Sequence, residues 1–223
     1  MCPSAEPVPA VALLDVSEDV LEQLLELALR DADADEVTPP LGTTAGWNTD
    51  RISWFREFHR AAAAGLDGPA GQKTWAISCD GQMAGSVRLR RMDTAPAAAD
   101  EGWAGGGAEA VGAAGAGPGG GGAGPGGGYA GPSDGAEAGA GGGRTLETGI
   151  WLARSFRGRG VGSEALRLVK ARAASAGAGV LVAETTAGNV GALALLRYAG
   201  AELVTGAASQ TQTVPVIAKI PLR

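Results

Sequence analysis

The stretch RSFRGRGVGSEALRLV, from Arg154 to Val169, places Arg154, Arg157 and Arg159 beside Gly158, Gly160 and Gly162, then takes up an apolar helical period. This combination suits anion binding. A helix N-terminus presents N–H groups with no intrahelical partner and the positive end of the helix dipole. Glycines let the backbone approach a phosphate closely, and guanidinium groups add charge. Two other phosphate signatures fail. A P-loop needs G-x-x-x-x-G-K-[ST], which the chain lacks. A dinucleotide fingerprint needs G-x-G-x-x-G, but the sixth position counted from Gly158 is Ser163. Glu184 stands where the fingerprint's ribose-binding acid would be, yet only one more strand–helix unit follows, too few for a doubly wound sheet. A merely basic surface turn is the plainer alternative. Glycine at every second position, between a strand and a helix, weighs against it.

Other residues with chemical potential are sparse. His59 is the lone histidine and falls among Trp54, Phe55 and Phe58, which reads as a packed position. Cys2 and Cys79 have neither metal-ligand spacing nor a disulfide framework, and no metal site is expected. Asp31, Asp33, Asp35 and Glu36 form an acidic run that could attract a polyamine, although such runs are usually solvated loops. The net charge of −6 argues against nonspecific nucleic-acid binding and suits a cationic substrate. No run approaches 18 apolar residues and the N-terminus has no basic leader, so no membrane partner is expected and the cytoplasm is the default location.

The positioning elements follow from periodicity. VALLDV (11–16) reads as a strand, and Ser17 caps a helix whose Val20, Leu21, Leu24, Leu25 and Ala28 share a face. Residues 31–47 read as a polar loop. A second helix, 49–68, begins at a Thr/Asp cap and ends at Gly65 or Gly68. Residues 73–79 and 83–93 form a hairpin about Asp80-Gly81. Just over half of the 38 glycines lie between Gly102 and Gly143, and 94–143 reads as a disordered insertion within one domain spanning 1–223. A strand at 144–153, a helix to about Ser175, a strand at 179–185, a helix at 189–200, and strands at 201–206 and 213–222 complete the order β α α β β, insertion, β α β α β β.

RGRGVG fits the signature R/Q-x-x-G-x-G/A through Arg157, Gly160 and Gly162, and with ETGIWLA before it and N-x-x-A at Asn189 and Ala192 the chain resembles the GNAT superfamily of acyl-CoA N-acyltransferases. The wording of ETGIWLARSFRGRGVGSEAL is most similar to the branch holding ribosomal-protein alanine acetyltransferases and several antibiotic acetyltransferases. The resemblance covers about 11–93 and 144–222. It implies an α+β fold with a mixed, mostly antiparallel central sheet flanked by helices. It implies acetyl-CoA as cosubstrate, held by the backbone of Ile150, Trp151 and Leu152, by Arg157, Gly158, Arg159, Gly160, Val161 and Gly162, and by Asn189. An N–H of that strand would polarise the thioester carbonyl.

The same resemblance implies a base. An attacking amine must lose a proton, and Glu147 is placed like the acid that serves as base in a number of such enzymes. Period-2 alternation puts Glu147, Gly149 and Trp151 on one strand face, opposite Thr148, Ile150 and Leu152. Glu184 is a second candidate. Trp47, Trp54 and Phe55 lie where the family builds its acceptor wall. The chain departs from the family at Leu196, which stands where many members have a tyrosine that protonates the CoA thiolate. Tyr198, two residues on, turns about 200° around the helix and faces elsewhere. The implied activity is N-acetyl transfer to a primary amine, favoured as a small cationic amine such as an aminoglycoside-type antibiotic. Acetylation of a protein N-terminus and a noncatalytic acyl-CoA-binding module are the alternatives, and a homodimer is compatible with either.

Overall fold

The structure is a computed structural model that describes residues 9–41, 46–92, 144–206 and 214–222. The expected insertion, 94–143, lies outside the described residues. Among the described residues seven strands form one sheet in the order β1-β2-β3-β4-β5-β7-β6. They are β1 (Val11–Asp15), β2 (Gln72–Cys79), β3 (Gln82–Arg91), β4 (Arg144–Leu152), β5 (Ala178–Thr186), β6 (Glu202–Thr205) and β7 (Pro215–Pro221). Among these described strands only β4 and β5 run parallel; every other neighbouring pair is antiparallel. The helices are α1 (Glu18–Asp31), α2 (Ala34–Val37), α3 (Thr49–Ala61), α4 (Val161–Ser175) and α5 (Val190–Tyr198). The α+β class matches the sequence expectation, and so does the element order except for α2, which lies inside the expected polar loop.

Local chemistry explains the boundaries. Ser17 accepts from the Val20 N–H and starts α1, whose buried Leu21, Leu24, Leu25 and Ala28 are the residues of the apolar period. Asn48, rather than the expected Thr49 or Asp50, caps α3 by accepting from the Arg51 N–H at 2.9 Å. The expected polar loop contains a single helical turn, α2, closed by the reciprocal Asp33–Glu36 capping box. The β2–β3 turn uses positive φ at both Asp80 (50°) and Gly81 (79°), as a tight two-residue hairpin requires. Gly85 is a close approach: a Cβ there would lie 2.0 Å from the Trp151 carbonyl oxygen of the adjoining strand.

Register sorts the two faces of the central strands. Gln72, Arg90 and Glu147 lie side by side, then Thr74, Arg88 and Gly149, then Ala76, Ser86 and Trp151. Residues of α3 cover this face, with His59 bonded to Thr74 at 3.0 Å and the Arg88 guanidinium over the Phe58 ring. On the other face Trp75, Val87 and Ile150 align, as do Ile77, Gly85 and Leu152. The start of α4 meets this second face, where the Leu152 side chain closes on Gly162.

Candidate active site

The parallel pair β4–β5 opens partway along. Register runs from Arg144↔Ala178 to Thr148↔Ala183 and stops there. Beyond that point β5 continues to pair with β7 through Glu184, Thr185 and Thr186, while among the described residues β4 pairs only with β3 through Gly149–Leu152. The two strands therefore enclose a wedge whose edges carry backbone groups outside the ladder. A cleft of about 730 Å³ fills it, walled by Thr148, Gly149, Ile150 and Leu152 on one side and Ala183, Glu184 and Thr185 on the other. Gly158, Gly160 and Gly162 close one end, and α5 contributes Asn189, Leu195 and Leu196.

The glycine-rich turn enters this cleft with the geometry an anion needs. Gly158 (φ 71°) and Gly160 (φ 80°) are both left-handed, a conformation that costs other residues a Cβ clash. Gly160 is the N-cap of α4 and, having no side chain, leaves the first N–H groups of the helix uncapped. A Cβ built at either glycine meets nothing within 4 Å, so the space above the turn is open. Arg157 lines the cleft; its Nε donates to the Leu152 carbonyl at 2.9 Å and its Nη2 to both Glu36 oxygens at 3.1 and 3.2 Å. Arg159 is exposed, with Nη1 donating to the Ser155 carbonyl and its guanidinium over the Phe156 ring. Asn189 caps α5 by accepting from the Ala192 backbone N–H at 3.0 Å, which gives the asparagine of N-x-x-A a structural role.

The two carboxylates stand in different situations. Glu147 is 6 % exposed and accepts from Arg88 at 2.7 Å through one oxygen and from Arg90 at 2.5 Å through the other. Among the described residues Glu147 does not line the cleft. Glu184 does line it, with an exposed side chain. Two residues past the Val182↔Glu147 pair, Glu184 stands level with Gly149, where the strands have already parted. The Arg88–Glu147–Arg90 group escapes the sequence reading, although the alternation in SVRLRR already puts both arginines on one strand face.

The remaining candidates divide between core and surface. Phe55 has no exposed surface and packs edge-on against Trp47 at 6.2 Å. Trp54 stacks on Phe58 at 4.8 Å, and Trp47 donates to the Ala32 carbonyl. Trp47 and Trp54 keep some exposed surface and Phe55 does not. Trp151 is wholly buried, so what it offers the cleft edge is backbone. Burial pushes the His59 imidazole down to about 3, which keeps it neutral. Leu196 is buried in the cleft wall, and Tyr198, expected to face elsewhere, also borders this cleft, at its mouth with 85 % of its surface exposed. The acidic run keeps Asp33 and Asp35 largely exposed, as a solvated run would, yet each acid has a partner: Asp31 holds Ser155, Asp33 holds Arg154, Asp35 holds Arg51 and the buried Glu36 side chain holds Arg157. Among the described residues no cluster could hold a metal ion, and no helix is long and apolar enough to cross a membrane.

Among the described residues the mixed sheet opens beside its one parallel pair, with the uncapped N-terminus of α4 at the opening. The family model described as acetyltransferase (GNAT) family matches residues 27–201, and the chain belongs to that family. It is therefore an N-acetyltransferase, with acetyl-CoA as cosubstrate. No curated protein matches the chain. Among solved structures it is similar to RimL, a ribosomal L7/L12 alpha-N-protein acetyltransferase in complex with coenzyme A, at 16 % identity over 97 % of each chain and a TM-score of 0.58. It is also similar to a Salmonella typhimurium acetyl transferase that modifies the N-terminal serine of ribosomal protein L7/L12, at 13 % identity over 97 % of this chain and 98 % of that one, TM-score 0.57. A third is the GNAT domain of S. lividans PAT, at 17 % identity over 96 % and 90 %, TM-score 0.53. At these identities the likeness is one of fold.

Proposed function

We propose that the chain acetylates the primary amine at a polypeptide N-terminus, using the β4–β5 cleft. The observation that carries the reading is the wedge itself: an unpaired strand edge, Gly149–Leu152, leads directly to the uncapped N-terminus of α4. Backbone groups of Ile150, Trp151 and Leu152 would hold the pantetheine arm and one N–H would face the thioester carbonyl. N–H groups from Gly158 to Gly162, with Val161 among them, would receive the pyrophosphate, joined by Arg157 and Arg159 and flanked by Asn189. Acetyl-CoA supplies an acetyl thioester with a thiolate as leaving group. Glu184, exposed in the cleft wall, is assigned to take the amine proton, directly or through water. Glu147 is assigned to hold Arg88 and Arg90 in place. Leu196 has no proton to give, so no side-chain acid is assigned to the thiolate.

The choice of acceptor rests on the acidic run. A small polycation needs several carboxylates with room to receive it, and each acid from Asp31 to Glu36 already has a partner in Arg51, Arg154, Ser155 or Arg157. An N-terminal amine carries one charge and needs no such cluster, and the RimL structure belongs to an enzyme described as acting on a protein amine. The small cationic amine stays as a second reading because of the net charge of −6 and the part-exposed Trp47 and Trp54. The test is incubation of the full chain with acetyl-CoA and a panel of N-terminal peptides and aminoglycosides, read by product mass spectrometry. Acetylated peptides support the first reading and acetylated aminoglycosides the second. Acetyl-CoA bound without turnover on any amine favours a noncatalytic acyl-CoA-binding module instead.

A further inference from the structure

The signature arginine is not a free cation waiting for phosphate. Two of its three nitrogens are fixed: Nε on the carbonyl of Leu152, the last residue of the unpaired strand edge, and Nη2 on the Glu36 carboxylate. Among the described residues Nη1 has no hydrogen-bond partner, and Arg157 lines the cleft. The Glu36 side chain is 8 % exposed, against 37 % for Arg157, so the partner is anchored more firmly than the arginine. Glu36 is anchored again by its bond from the Asp33 N–H, which closes the α2 capping box. Asp33 and Asp31 hold the neighbouring Arg154 and Ser155. The segment from Asp31 to Glu36 thus grips the loop that precedes the glycine turn at three points.

We propose that Glu36 is a positioning residue that presents the Arg157 guanidinium to the pyrophosphate of the cosubstrate, a role no phosphate contact of its own could supply. The proposal rests on the reading of the cleft as the acetyl-CoA site. An exposed arginine must give up rotamer freedom to hold a phosphate, and a guanidinium already fixed at two nitrogens has little left to lose. The opposing effect is charge. A carboxylate next to the phosphate site repels the ligand, so a Glu36 that merely competes for Arg157 would weaken binding rather than strengthen it. The two roles therefore predict opposite signs on removal of Glu36.

The experiment is calorimetric titration of CoA into the full chain and into Glu36→Gln, Glu36→Ala, Arg157→Gln and the Glu36→Ala/Arg157→Gln double variant. Glu36→Ala is expected to weaken CoA binding about tenfold, as for loss of a charge-assisted contact. Glu36→Gln, which keeps an acceptor oxygen for the capping box, should show the same sign with a smaller loss. Because Glu36 acts through Arg157, removing it in the Arg157→Gln background should change CoA affinity no further. Tighter or unchanged CoA binding in both Glu36 variants would overturn the proposal. So would equal losses in the two backgrounds, which is the mark of general damage to α2. Failure of the unsubstituted chain to bind CoA at all would overturn the cleft reading on which the proposal stands.

Discussion

Replacing Glu147 by glutamine separates a structural strut from a proton acceptor. In the folded chain this carboxylate lies between two guanidinium groups, Arg88 with 2 % of its side chain exposed and Arg90 with 20 %. Glutamine is nearly the same shape, but it removes the negative charge those two contacts share. Removing one member of a buried ion pair typically costs about 3–5 kcal/mol. The amide of Glu147→Gln would keep one carbonyl oxygen as an acceptor, Arg90 reaches solvent and both arginines have contacts besides Glu147, so the low end applies, about 3 kcal/mol. For a domain of this size each kcal/mol lowers Tm by about 2–4 °C, so Tm should fall by about 6–12 °C. Thermal melts followed by circular dichroism measure this. Adding Arg88→Met should recover part of the loss, since an apolar side chain needs no counter-charge. A Glu147→Gln chain that melts with the unsubstituted chain, yet loses about a hundredfold in kcat/KM that returns as pH rises, would refute the reasoning and make Glu147 the proton acceptor.

Glu184→Gln should keep Tm and lower kcat/KM by about 10²-fold near neutral pH, with the deficit shrinking at higher pH as the free-amine fraction grows. Full activity at every pH would remove Glu184 from the mechanism. His59 makes a stability prediction with a definite sign. Its buried imidazole titrates at about 3 against an ordinary 6.5, so between those values the unfolded chain holds the extra proton and stability declines as pH falls. The slope reaches about 1.4 kcal/mol per pH unit and vanishes above neutral pH. Urea denaturation of His59→Asn across this range should show one proton fewer taken up on unfolding; an unchanged proton count would contradict the assignment.

The strands, the main helices and the glycine turn are legible in the sequence because each rests on local chemistry. The Asp80-Gly81 hairpin, the Ser17 cap and the apolar period of α1 need no information from distant residues. The alternation of β4 likewise puts Glu147 and Gly149 on one face. What alternation cannot supply is the partner across the sheet. Arg90 pairs with Glu147 across 57 residues of chain, much of it the glycine-rich stretch, and only strand register brings them together. The acidic run shows the same limit over a longer span. Composition rightly marks Asp33 and Asp35 as exposed but not their partners: the contacts of Asp31–Glu36 with Arg154, Ser155 and Arg157 arise because α1 ends beside the α4 turn. Phe55 is the reverse case: an aromatic in the expected acceptor wall is taken up wholly by packing against Trp47 and His59.

The central claim is that acetyl-CoA lies in the β4–β5 wedge with its phosphates on the α4 turn. Gly162 sits in that turn, where a Cβ would lie 3.4 Å from a Leu152 methyl and 3.5 Å from a Leu195 methyl, so alanine fits and anything larger must enter the cleft. Calorimetric titration of acetyl-CoA into the unsubstituted chain and into Gly162→Leu is the direct measurement. The account predicts binding to the former and at least about tenfold weaker binding to the latter, ~1.4 kcal/mol, with a folded far-UV spectrum in both. Equal acetyl-CoA affinity in the two proteins would contradict it.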